Sequence, residues 1–132
     1  MIVLDTHTLI WWVTGGDALS PAASGAIADA VSRGTGVQVS AICAWEIAML
    51  VSKGRLALSM DLDDWLATVA AIPDVRIVPV TAQVAVQSTR LPGAFHADPA
   101  DRMIVALARE QNATLVTADH RIQAYPHVRW LW

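Results

Sequence analysis

Four carboxylates in this chain stand where a charge is either costly or well placed for chemistry. Glu46 lies inside the apolar run 41–51, and on a helix its neighbours three and four positions away are Ile42, Cys43, Met49 and Leu50, so no cation on that helix can pair with it. A carboxylate buried there without a partner is unfavourable, which makes it a candidate ligand. Asp5 follows Ile2, Val3 and Leu4; Asp101 opens the apolar run 103–108; Asp119 follows Leu115, Val116 and Thr117. Four acids, three at segment ends and one inside an apolar helix, point to a divalent-metal site.

Each acid also has a plainer use. Asp5 and Asp119 can cap the segments that follow them. Asp98, with Pro99 behind it and Asp101 three residues on, has the pattern of an N-cap and a capping-box acid, so structure alone would explain that pair. Asp98 is read as the cap and Asp101 as the ligand. Glu46 has no comparable structural use, and the joint pattern is stronger than any member.

An all-oxygen set, with no Cys or His at ligand spacing, favours Mg²⁺ or Mn²⁺ over zinc. His96, His120 and His127 are irregularly spaced. Carboxylates around Mg²⁺ suit phosphodiester hydrolysis, because the metal acidifies a water and neutralises charge on the phosphate. Two other acid-rich α/β sites fit less well. A receiver domain needs a lysine at a strand end, whereas Lys53 falls at a helix terminus; a haloacid-dehalogenase-type phosphatase needs Asp-x-Asp, whereas the triplet here is Asp5-Thr6-His7.

Strands are expected at 2–4, 37–39, 76–80, 113–117 and 128–132, with 56–58 also extended. Helices are expected at 6–13, from Pro21 to about 33, from Ser40 to Gly54, at 62–71 behind an Asp61 cap, at 81–91, and from Pro99 to about 111. Pro79 places the third strand at an edge or an end. Short strands alternating with helices make an α/β domain with a mainly parallel sheet between helical layers. In such sheets ligands bind outside the carboxyl ends of the strands, where the four acids fall.

The 132 residues fit one domain, 1–132. Hydrophobic residues make up 55%, but charges, Gly and Pro interrupt every stretch before membrane-spanning length. The N-terminus lacks signal-peptide features and Cys43 is alone, so a cytoplasmic protein is expected. A net charge of -3 argues against a broad basic nucleic-acid face, leaving only local phosphate contacts. Trp11 and Trp12 adjoin on a short helix that cannot turn both rings into the core, so one is expected to be exposed or covered by another chain.

The segments Leu4 to Trp12, Ser40 to Ile47 with Lys53-Gly54-Arg55-Leu56, His96 to Ile104, and Leu115 to Asp119 together resemble PIN-domain proteins, specifically the VapC toxins of bacterial type II toxin-antitoxin systems. The likeness runs the length of the chain in order and spacing. It implies a PIN-like α/β/α sandwich and a Mg²⁺-dependent ribonuclease, with Mn²⁺ as a substitute and Asp5, Glu46, Asp101 and Asp119 as the acidic quartet. It also implies a homodimer inhibited by a small cognate antitoxin. Asp5 and Asp101 match the principal metal-contacting acids, Thr117 a supporting hydroxyl, and Thr6, Ser40 and Asp98 stand as groups behind the ligands. Arg102 is the candidate phosphate contact, with pairing to an acid as its alternative, and His96 a candidate lining residue. Ala100 stands where such relatives often carry a bulky residue. Two other functions compete: a noncatalytic RNA-binding or assembly module, which a degenerate quartet would favour, and a DNA-directed nuclease, because this chemistry does not itself choose ribose.

Overall fold

The computed structural model describes residues 1–132. The chain begins with strand β1 (Ile2–Leu4), helix α1 (Thr6–Thr14), helix α2 (Pro21–Ser32), strand β2 (Val37–Ser40) and helix α3 (Ala41–Ser52). Helix α4 (Leu62–Ala71), strand β3 (Val75–Val78), helix α5 (Ala82–Ser88) and helix α6 (Pro99–Glu110) follow, then β4 (Thr114–Val116), α7 (His120–Gln123) and β5 (Trp130–Leu131). The five strands form one sheet in the order β3-β2-β1-β4-β5, and every pairing is parallel. Leu4 lies between Val39 and Val116, which fixes the register of the three central strands.

Val3 and Leu4 are both fully buried, as are Leu115 and Val116. Neighbouring strand residues point to opposite faces, so both faces of the sheet are covered by helices, as an α/β sandwich requires. Helix α6 is the central cover: Ile104 to Ala108 are all buried, and the helix touches β1, β2, β4, α3 and α5. From β1 the chain builds outward through β2 and β3, then returns to the other side of β1 for β4 and β5. This reversal between β1 and β4 is the crevice where open α/β sheets bind ligands.

The capping signals are met. Ser20, Ser40, Asp61 and Asp98 accept backbone N–H groups at the starts of α2, α3, α4 and α6, and Gly54 adopts φ +67° just after α3. Pro79 follows β3, which is an edge strand. Two expected elements differ: residues 56–58 join no strand, and the helix expected at 81–91 stops at Ser88; His120–Gln123 adds a short helix that Asp119 caps. Neither Trp11 nor Trp12 is exposed: both are half-buried, and Trp11 packs against Trp132 of the tail with ring centres 5.7 Å apart.

Arg102 is an internal tie. Its Nε donates to the Ser88 carbonyl at 2.7 Å, and its Nη1 to the Phe95 and His96 carbonyls at 3.0 and 3.2 Å. The guanidinium also lies 5.9 Å from the centre of the Phe95 ring. One planar fork thus fastens the segment between α5 and α6, where no regular element holds it. Arg102→Ala should lower the unfolding free energy by about 2–3 kcal/mol, since hydrogen bonds from a charged donor are lost and carbonyls are left without partners. Arg102→Lys, lacking the fork, should recover only part of it. Urea midpoints at constant slope check both; a midpoint unchanged in the alanine variant would show the tie to be idle.

Candidate active site

Asp5 leaves β1 at the crevice and is 7% exposed. Its Oδ1 accepts the Thr8 N–H at 2.9 Å as the N-cap of α1, and its Oδ2 accepts the hydroxyl of Thr117, the residue after β4. Thr8 in turn donates its hydroxyl to the Val116 carbonyl at 2.9 Å. The carboxylate is therefore fixed from both sides of the strand junction.

Glu46 is half-buried on α3, and Thr6 of α1 donates its hydroxyl to Oε1. Its partner thus comes from another helix, which the analysis of α3 alone does not reveal. Burial pushes the Glu46 carboxyl up; the Thr6 hydrogen bond opposes this, and Asp98 and Asp5 add to it. Cys43, one turn back, is pushed up to about 12, chiefly by burial. A thiol held neutral at physiological pH is not a nucleophile, so the reactive groups here are oxygens.

Asp98 caps α6, with Oδ1 accepting the Asp101 N–H at 2.9 Å. Asp101 lies inside that first turn, and burial, then Asp98, Asp119 and Glu46, push its carboxyl up to about 7 against the opposing pull of Arg121. His96 brings Nε2 to 3.0 Å from Asp101 Oδ2, without the angle of a hydrogen bond. Asp119 accepts the Arg121 and Ile122 N–H groups with Oδ1, and Thr117 Oγ1 accepts the Asp119 N–H at 3.0 Å. The Arg121 guanidinium spans two of the acids, 3.6 Å from Asp119 Oδ2 and 3.9 Å from Asp101 Oδ2.

Asp5, Glu46, Asp98, Asp101 and Asp119 line one open cavity of about 370 Å³ with Thr6 and Arg121. Thr117 stands behind Asp5, and His96 stands beside Asp101 outside the lining. Two expected residues are not brought there. Ser40 uses its hydroxyl to cap α3, accepting the Ile42 N–H at 3.2 Å, and Arg102 is held by its three carbonyls. The sequence analysis missed His7 and Arg121, which also line the cavity. Each lies two residues past a capping acid, so the first turns of α1 and α7 carry them to the same rim; that offset was the available signal.

No three His, Cys, Asp or Glu side chains close on a common point as they stand. A cation here would take few direct carboxylate ligands and complete its shell with water, the usual manner of Mg²⁺. The donors fit such a hard cation: all are oxygens, and burial, with the neighbouring acids, already pushes the Asp101 carboxyl up to about 7.

The PIN domain family model matches residues 2–128. The chain is 38% identical over 128 residues to ribonuclease VapC22 of Mycobacterium tuberculosis, covering 97% of this chain and 94% of that protein. Among solved structures, the fold matches VapBC2 from Rickettsia felis bound to a promoter DNA fragment, at 18% identity and TM-score 0.70, covering 99% of this chain and 98% of that one. It also matches VapC20 of M. tuberculosis, described as a sarcin-ricin loop cleaving toxin, at 19% identity and TM-score 0.60, covering 98% and 99%.

The raised Asp101 carboxyl predicts an inverted pH dependence of stability in chelator. The folded chain retains a proton that the unfolded chain releases, so stability falls as pH rises from about 4 to about 7 and then levels. Going from pH 7.5 to 5, the thermal midpoint should rise by several degrees, and Asp101→Asn should remove most of that rise. Glu46, shifted in the same direction, contributes the remainder. A wild-type midpoint that is flat or falls over this interval would show that the fold does not hold the Asp101 proton.

Proposed function

Because this chain belongs to the PIN-domain family, we propose that it is a metal-dependent endoribonuclease, the toxin of a VapC-type toxin-antitoxin pair. Metal dependence is typical of this family, and Mg²⁺, with Mn²⁺ able to replace it, is the cation that the oxygen donors favour. The observation that carries the reading is the meeting of Asp5, Glu46, Asp101 and Asp119 at the crevice of a chain 38% identical to a ribonuclease.

In this reading Asp5 and Asp101 would be the principal acids holding the cation, with Glu46 and Asp119 completing the acidic quartet. When bound, the cation supplies the Lewis acidity that activates water and offsets charge on the phosphate. The protein's own part is positional. Thr117 and the Thr8 N–H fix both oxygens of Asp5, and Thr6 turns Glu46 toward the crevice. Asp98 holds the first turn of α6, and with it Asp101. Arg121, 64% exposed, is the cation placed to meet a phosphate oxygen once the acids are neutralised. His96 stands beside Asp101, with Nε2 3.0 Å from Oδ2.

The completeness of the quartet favours catalysis over a purely RNA-binding role. Residues 1–132 act as one PIN domain in this reading, in the cytoplasm; no helix is long and apolar enough to cross a membrane. Partners are the RNA substrate, a second copy in a homodimer, and a small antitoxin whose segment lies over the acid cavity. A basic antitoxin side chain there would compete with the metal and inhibit without refolding the toxin.

Purified protein should cleave single-stranded RNA, stop in EDTA and resume with Mg²⁺, while matched DNA remains whole. Asp5→Asn and Asp101→Asn should each reduce cleavage by well over about 100-fold while keeping the fold, and Thr117→Val by about 10- to 100-fold, the usual effect of removing an outer partner of a metal ligand. Cleavage that survives complete chelation would eliminate the metal mechanism; equal cleavage of DNA would eliminate the ribonuclease assignment. Light scattering tests the dimer, and co-purification with the product of an adjacent small gene tests the antitoxin. A monomer that ignores that product would end the toxin assignment and leave the nuclease chemistry standing.

A further inference from the structure

We propose that the exposed indole of Trp45 is a stacking platform for one nucleobase of the substrate strand, beside the carboxylates that act on its phosphate. The inference rests on the ribonuclease reading and adds how the strand is held.

Few side-chain cations at the cleft are free to hold an RNA strand by its phosphates. The chain carries a net charge of -3, and the cleft gathers five carboxylates. Arg121 is shared between Asp101 and Asp119, and Arg102 is tied to three carbonyls. Where cations are few, single-strand affinity comes from bases stacked on aromatic side chains.

Such a surface begins where the carboxylates end. A cavity of about 270 Å³ shares Glu46 and Asp98 with the acid cleft, and its other walls are Ile42, Trp45, Pro99 and Ala100. Trp45 is 56% exposed, more than any other large hydrophobic residue. Trp11 is held by Trp132 and His7, whereas Trp45 pairs with none of the chain's other rings. Ala100, with only a methyl group, leaves the space beside the indole open. A second copy of the chain is the competing occupant, and the mass of each variant separates the two. A flat base adjoining a phosphate at Glu46 fits the size, the apolar walls and the location.

The test is steady-state cleavage of a short RNA in which single abasic residues are introduced one position at a time. It compares wild type, Trp45→Ala and Trp45→Phe, with light scattering on each. Trp45→Ala should raise KM roughly tenfold to a hundredfold, the usual effect of losing one base–aromatic stack, with kcat nearly unchanged. Trp45→Phe should stay within a few-fold of wild type. At one position the abasic RNA should cost wild type the same factor and cost Trp45→Ala nothing further. Losses that add at every position, or a Trp45→Ala defect accompanied by a halved mass, would overturn the platform; the second result would assign the indole to a dimer. If wild type cleaves no RNA, the ribonuclease reading fails and this inference with it, whereas cleavage without coupling removes the platform alone.

Discussion

The mutual repulsion of carboxylates at the β1–β4 crevice is the constraint around which this structure is arranged. Five acids line one cleft, and like charges at such range disfavour ionisation of their neighbours. The fold offsets this by placing three of them at helix starts. Asp5 caps α1, Asp98 caps α6 and Asp119 caps α7, each with Oδ1 receiving backbone N–H groups. Helix starts carry partial positive charge, so the arrangement that begins each helix also attracts the carboxylate that caps it.

This arrangement dissolves an opposition present in the sequence. There, Asp5 and Asp119 had to be weighed as either caps or ligands, because a one-dimensional reading assigns a residue one use. A carboxylate has two oxygens. Asp5 gives Oδ1 to Thr8 and Oδ2 to Thr117, while Asp119 gives Oδ1 to its cap and turns Oδ2 toward Arg121. Local capping then serves positioning: the hydrogen bonds that define where α1 and α7 begin also aim the second oxygen.

The elements were legible because their signals are local. Ser20-Pro21, Asp61 and Asp98-Pro99 mark helix starts within a few residues, and the buried strands read as short apolar runs. The α/β layering and its mainly parallel sheet followed from their alternation, and the PIN-like arrangement from the resemblance of the four motif segments. What the sequence hid depends on long-range contact. Thr6 reaches Glu46 across 40 positions, and Thr117 reaches Asp5 across 112. Arg102 looked free to meet a phosphate because nothing local shows that the path from Ser88 to His96 turns three carbonyls toward it. Trp11 is likewise covered by Trp132, the last residue of the chain, so its burial cannot be read from its own helix.

Glu46 and Asp101, the two quartet acids that cap no helix, are also the two that burial and neighbouring acids push up. Asp101 lies in the first turn of α6, where the Asp98 carboxylate takes its backbone N–H, and Glu46 has a single neutral hydroxyl. The electrostatic cost therefore falls most on these two groups, and Asp98 adds to both. In the proposed function, a cation entering the cleft would relieve most strain where backbone N–H groups give least help, so affinity for it and the instability of the metal-free state would share one origin. Replacing either acid by its amide would remove both together, which is why a stabilised fold and a lost activity are two readings of the same charge.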